Sequence, residues 1–168
     1  MSMWTNYKQG MSVASAGGFY DLSDHGVDSR MNAQSDLSLK PGMGVVQGEK
    51  AGVEVKLPAT GATLEKFEGI VINDVNREMN MDGELLIQPK STIGVLRYGR
   101  IWVRLAEGVT PKYGDPVYLV INGAGLGCFK TAADEANTLE LNARFIGAKD
   151  TSNIAPIELY HQINKTQA

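Results

Sequence analysis

Short apolar runs separated by turn residues dominate the chain after residue 40. In Val53–Leu57 and Ile101–Leu105, apolar and polar residues alternate, so one face of each predicted strand is apolar. Such runs recur with Gly, Asn or Asp turns about every eight to twelve residues, which is typical of a sandwich or barrel. The sequence therefore predicts a mainly β fold with a single β-barrel or sandwich domain. The other predicted strands are Glu68–Ile72, Val117–Ile121, Leu139–Leu141 and Ala155–Ile163.

The segment before Lys40 has a different composition, in which Gly, Ser, Asp and Asn dominate and no apolar period persists. We therefore expect a long, extended N-terminal arm over residues 1–40 and the β-barrel or sandwich domain over residues 41–168. A chain that begins near Asp36 is expected to keep a folded barrel.

Large apolar side chains nevertheless occur in the predicted arm. They either pack back on the barrel or anchor the arm on a partner, because aromatic and Met side chains are favoured in the cores of protein interfaces. Trp102 lies on a predicted strand and is a further candidate. The candidate partner-binding residues are Met1, Met3, Trp4, Tyr7, Phe19, Tyr20 and Trp102.

Composition narrows the range of partners. A formal net charge of −3 and a pI near 5.4 argue against a nucleic-acid partner, which requires a clustered basic face. The chain has no apolar run that approaches the roughly 20 residues of a membrane span, so no membrane is expected. Cys128 is the only cysteine, so no intrachain disulfide forms, and it is interpreted as a buried structural thiol.

Three motifs raise the possibility of chemistry. Asp24, His25 and Asp28 combine a base with carboxylates beside serines, but they lie in a polar segment without a rigid scaffold. Gly123–Gly127 resembles a phosphate loop but is not followed by a helix, and it is interpreted as a turn. Asp74–Gly83 alternates acidic and amide residues without the glycine of a calcium loop. The sequence therefore predicts no catalytic residue, no cofactor and no metal.

A series of short glycine-based motifs resembles the structural cement family of tailed bacteriophages. The resemblance begins in the segment Ala16–Asn32 and continues through Gly42–Gly48 and Phe67–Val71. It then includes Gly99–Leu105, the turn and strand of Gly114–Tyr118, and two closing segments, Ala143–Lys149 and Ala155–Gln162. It spans roughly residues 12 to 163, and the order and spacing of the motifs carry it.

This resemblance implies a non-enzymatic capsid decoration protein that binds the major capsid protein on the outer surface of the virion. It also implies a homotrimer, synthesised in the cytoplasm of the bacterial host, that clamps neighbouring capsid subunits. Two alternatives stay open. One is a small trimeric β-barrel enzyme, and the other is a host- or glycan-binding module in which Trp4, Trp102 and Tyr118 form a stacking platform.

Overall fold

The computed structural model describes residues 14–73, 78–83, 85–134 and 136–162. Within these residues the chain forms 11 strands and one short 3-10 helix, Leu64–Lys66. The strands are β1 (Gly26–Asn32), β2 (Gly44–Gln47), β3 (Glu54–Lys56), β4 (Phe67–Val71), β5 (Glu78–Met79), β6 (Leu85–Leu86), β7 (Thr92–Arg104), β8 (Pro116–Val120), β9 (Phe129–Lys130), β10 (Thr138–Phe145) and β11 (Ile154–Leu159).

Five strands close into a barrel. Their order is β1-β3-β2-β4-β7, and a further pairing between β1 and β7 completes the circle. All these pairs are antiparallel except β1–β3, which is parallel. Apolar side chains pack together in this half of the molecule, and closure leaves few exposed strand edges. This core comprises Leu39, Val45, Val55, Leu57, Val71, Ile87, Ile93 and Val95.

The second half continues from the same long strand. β7 spans 13 residues, and its later part pairs with β11, which is followed in the sheet by β10, β8 and β9. An isolated bridge between Leu105 and Phe129 brings β9 back to the end of β7. The larger core lies here, with Phe67, Ile70, Leu96, Ile101, Val103, Leu105, Val117, Leu119, Ile121, Phe129, Leu141, Phe145, Ala155, Ile157 and Leu159.

The fold confirms the mainly β prediction, and a strand lies at each of the six predicted positions. The bounds differ, most of all for Ile101–Leu105, which is the end of a strand that begins at Thr92. The prediction for Val53 is wrong. Period two places it on the same apolar face as Val55 and Leu57, but it lies half-exposed in the turn before β3 while the other two are buried. The turn is stabilised by hydrogen bonds from the peptide N–H groups of Val53 and Glu54 to Lys50 O.

β1 lies inside the segment that the sequence assigns to the arm. It pairs with six positions of β7, with a register shift between Gly26 and Val27, and it meets β3 at Met31 and Asn32. Its residues, Gly26–Asn32, alternate weakly and carry charges at Asp28 and Arg30, so the apolar pattern does not reveal it. Those charges are neutralised by partners on neighbouring strands, which only the tertiary fold brings near.

Strands β5 and β6 form a separate two-stranded hairpin. Its tip is a turn in which Gly83 N–H donates to Asn80 O at 3.0 Å. Met79 is largely exposed and Met81 is fully exposed. The segment Thr131–Ala136 shows no helix in its described residues. In the part of the chain that the structure describes, no helix is long and apolar enough to cross a membrane.

Candidate partner-binding face

The segment just before β1 is hydrogen-bonded to the later part of β7, around Arg100 and Trp102. Gly17 N–H donates to Trp102 O at 2.7 Å, Trp102 N–H to Gly18 O at 2.9 Å, and Tyr20 N–H to Arg100 O at 3.0 Å. Gly17 has φ +77, and a Cβ at this position would lie 2.7 Å from Asn73 N, so both the conformation and the close packing require glycine. The segment is therefore fixed on β7 by these bonds and by an isolated β-bridge between Phe19 and Ile101.

This arrangement brings two of the predicted aromatic residues together. The rings of Tyr20 and Trp102 lie with centroids 5.8 Å apart at an angle of 43°. Leu22 follows in the next turn and is 94% exposed, while Tyr20 is 45% exposed. Phe19 packs on the His25 ring, with centroids 4.7 Å apart. We call Tyr20, Leu22 and Trp102 the aromatic face.

An ionic network adjoins this face and connects four segments of the chain. Arg100 donates to Asp21 Oδ2 at 2.8 Å and to Glu158 Oε1 at 3.1 Å. Arg144 donates to Glu158 Oε2 at 2.9 Å, and the Tyr160 hydroxyl donates to the same oxygen at 2.8 Å. The strand register explains the contact, because Glu158 lies opposite Arg100 on β7 and opposite Arg144 on β10.

The hydrogen bonds of this network set the charge of its acids. Hydrogen bonds from Ser23 and Arg100 lower the pKa of Asp21 to about 2. For Glu158, partial burial acts to raise the pKa, but hydrogen bonds from Tyr160, Arg144 and Arg100 outweigh it and lower the pKa. Burial and the bond to Glu158 raise the pKa of Tyr160. The network is therefore charged near neutral pH and holds Asp21, and with it the neighbouring Tyr20, against β7.

Acid is expected to release this segment. A carboxylate whose pKa is lowered in the folded state contributes stability above its unfolded pKa, and this contribution is lost as the pH falls through the folded pKa. For Asp21 the window therefore runs from about pH 4 down to about 2. The fluorescence of Trp102, measured in a Trp4→Phe protein, should change in this range. The change should be absent when Asp21→Asn is added, and an identical transition in that variant would contradict the assignment.

Of the predicted partner-binding residues that the structure describes, Tyr20 and Trp102 belong to this face and Phe19 packs on His25. Met1, Met3, Trp4 and Tyr7 lie outside the described residues. Leu22, Arg100, Arg144 and Glu158 were not predicted from the sequence. The alternation along β7 places Arg100 and Trp102 on one face, so the sequence pattern could have predicted that Arg100 lies near Trp102. The pairing of Glu158 with both arginines could not be predicted in this way, because it depends on strand register.

The candidate catalytic constellation is not assembled in the described residues. The Nδ1 atom of His25 donates to the carbonyl oxygen of Ser23 at 2.8 Å. Asp28 instead accepts hydrogen bonds from Arg30 at 2.9 Å and from Arg97 at 3.0 Å. Glu68 lies beside the same two arginines, 3.4 Å from Arg30. Asp28 and Glu68 are therefore paired with cations rather than with His25, and Asp24 is exposed.

A cleft of about 300 Å³ lies beside these ion pairs and includes the Tyr98 and His161 rings, whose centroids are 4.1 Å apart. Its charged walls are Asp28, Glu68 and Arg97, which are paired with one another or with Arg30. Across residues 14–73, 78–83, 85–134 and 136–162, no group of three or more His, Cys, Asp or Glu side chains is placed to hold a metal ion.

Cys128 is buried, as the sequence predicts, and burial raises the pKa of its thiol. Cys128→Ser is expected to cost about 1–3 kcal/mol of stability, because the hydroxyl is more costly to bury without a partner. Thermal unfolding of the two proteins measures this cost. Binding to a partner should be unchanged, and a loss of binding by a protein with an unaltered fold would assign a functional role to the thiol.

Comparison with known proteins identifies the family. The family described as structural cement protein (E217 gp24/Pam3 gp6) matches residues 3–160. A chain from the structure entitled "The capsid of Myoviridae Phage XM1" has the same fold, with a TM-score of 0.72 and 18% identity over 92% of this chain and 95% of that chain. The comparison with curated proteins gave no match. The match over residues 3–160 shows that this chain belongs to the phage structural cement protein family.

Proposed function

We propose that this chain is a capsid-stabilising decoration protein that binds the major capsid protein from the outer surface of a phage shell. The observation that carries the proposal is the family match over residues 3–160. The shared fold with a chain from a phage capsid structure agrees with it. Neither finding favours an enzyme or a glycan-binding module.

Stabilisation follows from selective binding. A protein that binds the closed shell but not the dissociated subunits shifts the equilibrium towards the shell by mass action. The aromatic face suits such a contact, because Trp and Tyr contribute strongly to binding when a partner desolvates them. The ionic network of Asp21, Arg100 and Glu158 holds that face in place before binding, so less entropy is lost on contact.

We further propose that the protein acts as a homotrimer and that residues 1–13 form the arm proper. In a trimer, a first weak contact makes the next ones intramolecular, and avidity results. Met1, Met3, Trp4 and Tyr7 are then anchors that add to the aromatic face. The protein would be synthesised in the host cytoplasm and would be added to the outside of the virion.

The test uses purified full-length protein and undecorated shells of the same phage. The protein should sediment with the shells and raise the temperature at which they disassemble. Mass measurement in solution and the symmetry of bound copies under the electron microscope test the trimer. Failure to bind intact shells would reject the proposed function, whereas binding as single copies would reject only the trimer.

A further inference from the structure

One part of the barrel wall lacks a backbone partner among the described residues. β1 pairs with β7 from Gly26 to Met31, but it pairs with β3 only through Met31 and Asn32. β3 begins at Glu54, and the chain before it turns away. On the side away from β7, no described residue pairs with the first part of β1, which is an open strand edge in this part of the chain.

The direction of the peptide groups along β1 follows from its hydrogen bonds. Asn32 N–H donates to Ser91 O beside β7, whereas Met31 N–H donates to Val53 O beside β3. Successive residues of a strand direct their N–H and C=O groups to opposite sides. The N–H and C=O groups of Val27 and Ser29 therefore point to the same side as those of Met31, away from β7. The N–H of Val53, which would continue the ladder to Ser29, donates instead to Lys50 O at 3.1 Å.

The open edge is exposed, and its strand is firmly held. Val27 and Ser29 are both exposed, while the intervening Asp28 is bound by Arg30 and Arg97. Arg30 is itself bound to Glu68 on β4. These ion pairs fix the strand to its neighbours. Arg30 also donates to the outward carbonyl oxygen of Ser29 at 3.2 Å, an exposed contact that an added strand has to displace, whereas the outward N–H groups of Val27 and Ser29 have no partner among the described residues. Alternating N–H and C=O groups on a fixed, exposed edge are complementary to an extended peptide.

We propose that this edge, Val27–Ser29, receives an extended segment of a capsid shell subunit as an added β-strand. The proposal rests on the proposed function, which supplies the shell as the partner. A second copy of this chain fits less well. The two-fold pairing that uses both Val27 and Ser29 is centred on Asp28, and it places two Asp28 side chains opposite each other, where like charges are unfavourable.

Hydrogen exchange of individual amides in the full-length protein tests this directly. The Val27 and Ser29 amides should exchange fast in the free protein and at least about tenfold more slowly on decorated shells. The Asp28 and Arg30 amides, which face β7, should be slow in both states. Equal exchange at Val27 and Ser29 with and without shells would overturn the proposal. Protection that rises with the concentration of free protein would overturn it in favour of a second copy.

A pair of substitutions gives an independent measure. Ser29→Pro removes the outward N–H but no bond to β7, as edge strands tolerate, and it should weaken shell binding at least about tenfold. Ser29→Ala keeps the N–H and should bind as the wild type does. Equal binding by both variants would overturn the proposal that this edge binds the shell. If Ser29→Pro fails to fold, the hydrogen-exchange experiment tests the proposal instead. Loss of shell binding by the wild type itself would reject the proposed function together with the edge.

Discussion

Removal of residues 1–13 is expected to leave the barrel folded and to weaken shell binding at least about thirtyfold. The barrel should persist because its strands and both apolar cores lie between Gly26 and Leu159. A single hot-spot aromatic contributes about 2 kcal/mol or more, which corresponds to about thirtyfold in affinity. Trp4→Ala should lie between the truncated and the full-length protein. Binding is measured by sedimentation with undecorated shells, and folding by circular dichroism.

A deeper truncation is the control for this result. A chain that begins at Asp36 also lacks β1, which closes the barrel between β7 and β3, and it lacks the bonds of Arg30 to Glu68. We expect it to unfold or aggregate, although the apolar pattern alone predicted a folded barrel. If this protein were as stable as the full-length chain, β1 would be dispensable. If the 1–13 deletion bound as tightly as the intact chain, the arm would have no role in binding.

Loss of the aromatic face is expected to have the second largest effect. Trp102→Ala and Tyr20→Ala should each weaken shell binding about tenfold or more, because the exposed Tyr20 ring contacts the partly exposed Trp102 ring. The double variant should lose less than the sum of the two, since residues in contact are coupled. Leu37→Ala is a matched control, because Leu37 is 43% exposed but lies outside the face. It should bind normally.

The same variants distinguish binding from folding. Trp102 lies on β7 opposite Pro156, so its removal also costs packing, whereas Tyr20 precedes β1 and is half-exposed. Thermal unfolding should therefore shift more for Trp102→Ala than for Tyr20→Ala, while shell binding falls in both. Wild-type binding by Tyr20→Ala would remove the aromatic face from the interface and leave the arm and the β1 edge as candidates.

The sequence by itself determined the fold class and most of the strands. In β4, β8 and β11, the apolar runs are long or alternate cleanly, so local pattern and tertiary burial agree. Short glycine motifs in a fixed order were enough to indicate the family, because turns that need positive φ restrict the residue type.

Only the tertiary structure revealed that residues 26–32 form a strand and that Tyr20 lies beside Trp102 in the aromatic face. β1 carries charged residues that are acceptable because Arg97 and Glu68 lie beside them, and those partners are distant in sequence. Glu158 joins Arg100 and Arg144 only through strand register, which apolar periodicity does not specify between short strands. Tyr20, which the sequence assigns to an extended arm, therefore lies on the surface of β7 beside Trp102, because long-range backbone bonds hold it there.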